Sequence, residues 1–270
     1  MYKKLYGYNE LPEDILKQID LVVEIWKKHL QENLVGVYLH GSIALNAFNP
    51  QSGDIDIIVV VSEPLNVSTK LAIAKDIIAI DGKPRSLEMS AITLNEAMNW
   101  KTPGKCVFHY SDFWTDKYMK RFTNPNEEVY VVDNEFPDAD VTSYIKVIKQ
   151  SGIVLYGQGI EETFADISDE DFWEAISTDI ADYDFHDCAP RYFVSNILIL
   201  GRILSFKKER RILSKFEGGL WMMNNVPAEL SYLPERAMAN WFGEGDLPAE
   251  FPDKDLDKLK EYLVREILAD

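Results

Sequence analysis

Two strand-like runs, joined by a glycine-serine stop and a short turn-rich stretch, constrain this chain more than any other feature. Val35-Gly-Val-Tyr-Leu-His40 is rich in β-formers and ends at Gly41-Ser42. After residues 46–53, which include Pro50 and Gly53, the chain resumes as Asp54-Ile-Asp-Ile-Ile-Val-Val-Val61. Alternation along a strand places Asp54 and Asp56 on the same face. A glycine where a strand hands over to a helix lets backbone approach a phosphate, and a serine hydroxyl with helix N-terminal amides can bind its oxygens. Two hard oxygen ligands side by side suit magnesium in a phosphoryl transfer. A solitary Gly-Ser pair carries no information, and a solitary Asp-x-Asp usually marks a solvated strand edge. In this order, between two strands, they point to nucleotide chemistry.

The neighbouring segments supply the frame. Ile15, Leu16, Ile19, Val22, Val23, Trp26 and Leu30 recur at helical spacing, so residues 12–34 read as a helix with one buried stripe. Residues 71–80 read as a second helix, and 87–92 alternate as a third strand, with Leu87, Met89 and Ala91 on one face. Glu88 and Ser90 share the other face. Glu88 is either an ordinary exposed strand glutamate or a third carboxylate able to take a proton from an attacking hydroxyl. Residues 100–126 read as an aromatic loop region and 141–153 as a helix, before the glycine-rich stop Tyr156-Gly-Gln-Gly159. Beyond it the pattern is helical at 172–180, 192–206, 215–225 and 256–268. The expected architecture is therefore an α/β (α+β) domain with a mixed sheet, residues 1–158, followed by an all-α helical-bundle domain, residues 159–270.

Composition excludes several classes. With 45 acidic against 28 basic residues, the 270-residue chain carries a net charge of −17. That field repels nucleic acid and would attract a polycation. Apolar runs fall far short of the roughly 18 residues of a membrane span, and no apolar stretch follows the N-terminal lysines. A cytoplasmic protein acting as a monomer, with no membrane partner, is expected. Cys106 and Cys188 lie far apart with no CxxC partner, which supports neither a zinc site nor a disulfide framework. His40, His109 and His186 are read as scaffold, since magnesium chemistry requires no histidine.

The C-terminal half adds two cations. Ser214-Lys-Phe-Glu217 has the S-x-x-E form of a capping box and places Lys215 in the first turn of a helix whose end favours anions. Arg202 closes the run Asn196-Ile-Leu-Ile-Leu-Gly-Arg202. Each is as readily a solvated helix face, given the nearby Lys207-Lys-Glu-Arg-Arg211 cluster.

The order strand, Gly-Ser, loop, Asp-x-Asp, strand resembles the nucleotidyltransferase superfamily of DNA polymerase β. The whole chain resembles the aminoglycoside adenylyltransferases of the streptomycin/spectinomycin class. The likeness is carried by Gly36-Val-Tyr-Leu-His-Gly-Ser42, Gly53-Asp-Ile-Asp-Ile-Ile-Val-Val-Val61 and Arg85-Ser-Leu-Glu-Met-Ser90. It continues in Leu200-Gly-Arg202, Ile212-Leu-Ser-Lys215 and Glu217-Gly-Gly-Leu-Trp221. The resemblance implies that Asp54 and Asp56, with Glu88, hold magnesium, and that Glu88 is the catalytic base. Gly41, Ser42, Arg202 and Lys215 would bind ATP, and the substrates would lie in a cleft between the domains. A cationic acceptor would meet Phe113 or Trp114 in the loop after the third strand, and acids preceding the arginine helix. Tyr192 stands at the position where the family has an acid, so Asp182, Asp184 and Asp187 are the replacements. Transfer of AMP to spectinomycin rather than streptomycin, with release of pyrophosphate and a role in antibiotic resistance, is expected. Two alternatives stay open. One is a nucleotidyltransferase acting on another small molecule or a protein side chain, which the Tyr192 departure favours. The other is an antitoxin-like nucleotide binder without turnover, against which the intact Asp54, Asp56 and Glu88 set speaks.

Overall fold

The computed structural model describes residues 2–178, 180, 183–186, 190–243 and 251–269. The chain divides into two compact units: Tyr6–Ala175, and Ile176–Asp270 together with Met1–Leu5.

The first unit is built on a six-stranded mixed sheet. Its strands are β1 (Leu34–Leu39), β2 (Ile55–Val61), β3 (Leu87–Thr93), β4 (Gly104–Tyr110), β5 (Phe136–Asp138) and β6 (Ile153–Gly157), in the order β5-β4-β3-β2-β1-β6. Only β2 and β3 run parallel among the described residues; the other neighbours are antiparallel. A parallel pair needs a crossover, and the chain supplies it through α3 (Val67–Ile80). Asn66 caps that helix, its side chain accepting from Thr69 N–H.

The remaining helices of this unit are α1 (Glu13–Leu30), α2 (Gly41–Ala44), α4 (Leu94–Met98), α5 (Asp112–Thr123), α6 (Tyr130–Asp133), α7 (Asp140–Ser151), α8 (Ile160–Thr163) and, ending at the division, α9 (Asp169–Ser177). The predicted stripe of α1 is buried at Ile15, Ile19, Val22, Trp26 and Leu30. Trp26 meets Phe108 of β4 edge-on, ring centroids 5.2 Å apart. α7 buries Val141, Ile145 and Ile148. Residues 57–61 of β2 are buried without alternation, as befits a strand covered on both faces.

Residues 100–126, expected as loop, instead contain β4 and α5. The glycine-rich stop at 156–159 closes β6 on the outer side of β1, and the chain beyond it continues to pack on this unit. Tyr38 Oη lies 2.9 Å from Thr163 Oγ1 and donates to Gln158 O. Ala165 N–H donates to Ala97 O, and Lys146 pairs with Asp169 at 2.9 Å. The first of these two compact units accordingly ends at Ala175.

The second unit is helical: α10 (Pro190–Glu209), α11 (Lys215–Asn225), α12 (Tyr232–Phe242) and α13 (Asp253–Leu268). Its core contains Ile197, Leu200, Leu204, Met222, Leu233, Met238, Leu259 and Leu263, each fully buried. The N-terminal residues join it: Tyr2 bridges Gly243, and its ring meets Phe216 edge-on at 5.4 Å. Among the described residues, no helix is long and apolar enough to cross a membrane.

Candidate active site

Strand register assembles the site. In the parallel ladder Asp56 is paired with Glu88, so the two carboxylates leave neighbouring strands at the same level and on the same face. Asp54 sits two residues earlier on the Asp56 side. Ligand oxygens of Asp54, Asp56 and Glu88 lie within 4.8 Å of one another. Three hard oxygen donors at this spacing suit a magnesium-type cation.

The electrostatics agree with that donor set. Burial, and after it the charge of Asp54, push the Glu88 carboxyl up to about 7; a hydrogen bond donated by Tyr144 Oη to Glu88 Oε1, 3.1 Å, works in the opposite direction. Glu88 is thus held where its own charge is disfavoured unless a cation relieves it.

The Gly41-Ser42 turn closes on the same carboxylates. His40 N–H donates to Asp56 O at 3.0 Å, continuing the β1–β2 ladder by one step. Gly41 follows at φ +62, and a Cβ there would fall inside the Asp56 carboxylate. Both backbone angle and space therefore demand glycine. Ser42 Oγ is buried without a hydrogen-bond partner among the described residues. The helix expected after this turn is the single turn α2.

Tyr144 is the participant that spacing alone does not reveal. It stands on the flank of the α7 stripe, with the same weight in the sequence as any other helix tyrosine. In the structure it bonds Glu88, and its ring stacks on the buried His40, centroids 4.6 Å apart. Burial lowers the His40 imidazole to about 3, leaving it neutral. His109 is likewise scaffold, its Nδ1 2.9 Å from Ser90 Oγ.

Phe113 and Trp114 stand in the first turn of α5, not in a loop. Because Tyr110 of β4 pairs with Met89 of β3, they follow the strand end nearest Glu88. Phe113 is 71% exposed. The two rings meet edge-on at 5.5 Å, and Lys117 Nζ lies 4.2 Å from the Trp114 ring centroid.

In the second unit Arg202 lies within α10, about two turns before its end, and Lys215 opens α11. Arg202 Nε donates to Leu213 O at 2.6 Å, its stem lying where a Cβ on Gly218 would be. The capping box forms as expected, Ser214 N–H donating to Glu217 Oε2 and Glu217 N–H to Ser214 Oγ. Lys215 begins α11 with its Nζ 4.9 Å from the Trp241 ring centroid. Asp184 is half-buried and accepts His186 N–H at 2.8 Å, while His186 Nε2 lies 2.8 Å from Asp257 Oδ1. Asp182 and Asp187 lie outside the described residues, and Tyr192 falls within α10.

Comparison with known proteins converges on one family. Residues 19–110 match the model of a nucleotidyltransferase domain, and residues 162–266 match that of the aminoglycoside adenylyltransferase C-terminal domain. A spectinomycin 9-adenylyltransferase of Enterococcus faecalis is 30% identical over 243 residues, spanning 84% of this chain and 88% of that protein. An aminoglycoside (3'') (9) adenylyltransferase of Shigella flexneri is 22% identical over 264 residues, 94% and 95% of the two chains. Among solved structures, the Enterococcus spectinomycin adenyltransferase with ATP and spectinomycin superposes with a TM-score of 0.78 at 25% identity, covering 93% of this chain and 98% of that one.

Proposed function

The chain belongs to the aminoglycoside adenylyltransferases, and from that premise we propose that it transfers AMP from ATP to a hydroxyl of spectinomycin, with magnesium as cofactor and pyrophosphate as the leaving group. The observation that carries this reading is the Asp56–Glu88 register, which groups three carboxylates at the start of a parallel strand pair.

In this reading Asp54 and Asp56 hold the metal with Glu88 as the third acid of the set. Magnesium, when bound, supplies charge neutralisation for the triphosphate and for the developing transition state. Glu88 takes the proton of the attacking hydroxyl as the general base. Tyr144 fixes which Glu88 oxygen is engaged and leaves the other available. The unsatisfied Ser42 Oγ has a donor to offer a phosphate oxygen, and Gly41 keeps the adjacent backbone close to Asp56. Arg202 and Lys215 supply positive charge for the triphosphate from the helical unit. On the acceptor side, Phe113 and Trp114 offer ring faces to a cation or sugar ring, and Asp182, Asp184 and Asp187 are the acids for its ammonium groups. Spectinomycin is preferred over streptomycin because Tyr192 replaces the acid of the family pattern.

The test is substitution of Asp54 or Asp56 by asparagine, which keeps the strand-face shape and removes the charge. Pyrophosphate release from ATP in the presence of magnesium and spectinomycin should fall by about 10²–10³-fold, the scale of a lost charge-stabilising group at a reacting centre. The metal-free melting curve should show an intact fold. Retention of most activity in either variant removes the carboxylate cluster from the chemistry.

A further inference from the structure

Asp54 is held differently from its two partners. Asp56 and Glu88 lie within paired strands, whereas Asp54 precedes Ile55, the first residue of β2. Its position is therefore only as definite as the loop that delivers it. Part of that loop is tied by Asn49: Gly53 N–H and Ser52 N–H donate to its carbonyl, 2.7 and 3.2 Å, and Gln51 N–H to its Oδ1 at 3.0 Å.

The other tie comes from Arg85, just before β3. Its Nε donates to Gly53 O at 2.6 Å, and its Nη1 lies 3.0 Å from Gln51 O and 3.5 Å from Pro50 O. One guanidinium thus gathers the loop backbone by its carbonyls, ending on that of the residue bonded to Asp54. Arg85 is itself anchored. The side chain of Gln18, 1% exposed on α1, accepts Arg85 N–H at 3.0 Å and donates to Arg85 O at 2.6 Å. Its amide also donates to Ile80 O at 3.0 Å. A buried amide fixes the arginine backbone, and the planar fork of the arginine fixes the loop. A lysine keeps the charge but gathers its donors on one atom, without the planar fork whose separate nitrogens reach Gly53 O and Gln51 O here.

We propose that Arg85 is a positioning residue for the metal ligand Asp54, acting through the backbone of residues 50–53. This rests on the reading of Asp54 as a ligand given above. Partners that orient metal ligands characteristically change affinity by about 10–100-fold when removed, and Arg85 belongs to that range.

The experiment is a titration of the full-length protein with manganese, free ion being read by electron paramagnetic resonance, alongside metal-free melting curves. Wild type, Arg85→Lys, Arg85→Gln and Asp54→Asn are compared. Both arginine variants should bind manganese about 10–100-fold more weakly while melting within a few degrees of wild type, and Asp54→Asn should be weaker still. Wild-type affinity in Arg85→Lys and Arg85→Gln overturns the proposal, as does loss of the melting transition in both, which would make Arg85 a folding residue. Wild-type affinity in Asp54→Asn would instead overturn the reading of Asp54 as a ligand, and the proposal with it.

Discussion

The two units hold the charges proposed for the site by opposite means. In the sheet unit, carboxylates are fixed by strand register: Asp56 faces Glu88 because β2 and β3 run parallel and in phase, and every ladder bond along them resists displacement. In the helical unit, cations are carried on helices. Lys215 opens α11, and Arg202 is steadied by the carbonyl of Leu213 in the connection between α10 and α11. Like charges pressed together store a cost that a ligand can relieve; cations on long side chains bear no such cost. The sheet unit should therefore be sensitive in both activity and metal-free stability, and the helical unit mainly in binding.

Glu88→Gln sharpens the contrast most. Loss of the general base should slow AMP transfer by about 10²–10⁴-fold. The same change should stabilise the metal-free protein at pH 8. The Glu88 carboxyl is raised from 4.5 to about 7 by burial and Asp54. The stability it contributes is therefore fully present below its unfolded value near 4.5 and is lost as pH rises through about 7. Glutamine removes that loss, which amounts to a few kcal/mol at most, a tenfold change in proton affinity being worth about 1.4 kcal/mol. Calorimetric melting with chelator at pH 8 and pH 4 reads the difference. A variant that gains no melting temperature at pH 8 breaks the picture of a charge-strained site.

Gly41→Ala comes next. A side chain at φ +62 costs on the order of 1–2 kcal/mol, and here its Cβ also enters the Asp56 carboxylate. Metal affinity, measured by manganese titration, should fall by more than the loss of stability alone explains. Lys215→Ala should lower ATP affinity by roughly tenfold, about 1.4 kcal/mol, and leave the melting temperature nearly unchanged. Calorimetric titration with ATP decides this, and an unaltered affinity returns Lys215 to the solvated helix face. The smallest effect is on the acceptor. Binding of spectinomycin should weaken a few-fold between low and high ionic strength, because a net charge of −17 attracts a cation through screened Coulomb forces. Salt-independent binding would assign recognition to shape alone.

The sequence shows β1, β2 and β3 clearly because they lie centrally in the sheet, where β-branched residues are buried and the punctuation is sharp. It hides the edges. β5 is Phe-Pro-Asp, which reads as a turn, yet proline is tolerated where a strand borders solvent. β6 is half-exposed and merges with the helix before it; the interior strand β4 is hidden for another reason, lying between Pro103 and the aromatic start of α5. The same division runs through the site. Asp56 and Glu88 are legible because strand periodicity fixes their faces, and Asp54, one residue before β2, is legible as the first acid of the Asp-x-Asp spacing. Tyr144 and Arg85 are not, since each reaches the site through packing between distant elements, which no local spacing encodes. The α11 capping box is legible to the residue, Lys215–Asn225, because it depends on four adjacent residues alone.

The central claim is transfer of AMP to spectinomycin, and mass spectrometry of the drug tests it most directly. Purified protein with ATP and magnesium should convert spectinomycin to a species heavier by one adenylyl group, with equimolar pyrophosphate, and should leave streptomycin unmodified. An unchanged spectinomycin mass in a reaction that adenylylates streptomycin, or no adenylylated product from either drug, would contradict the account.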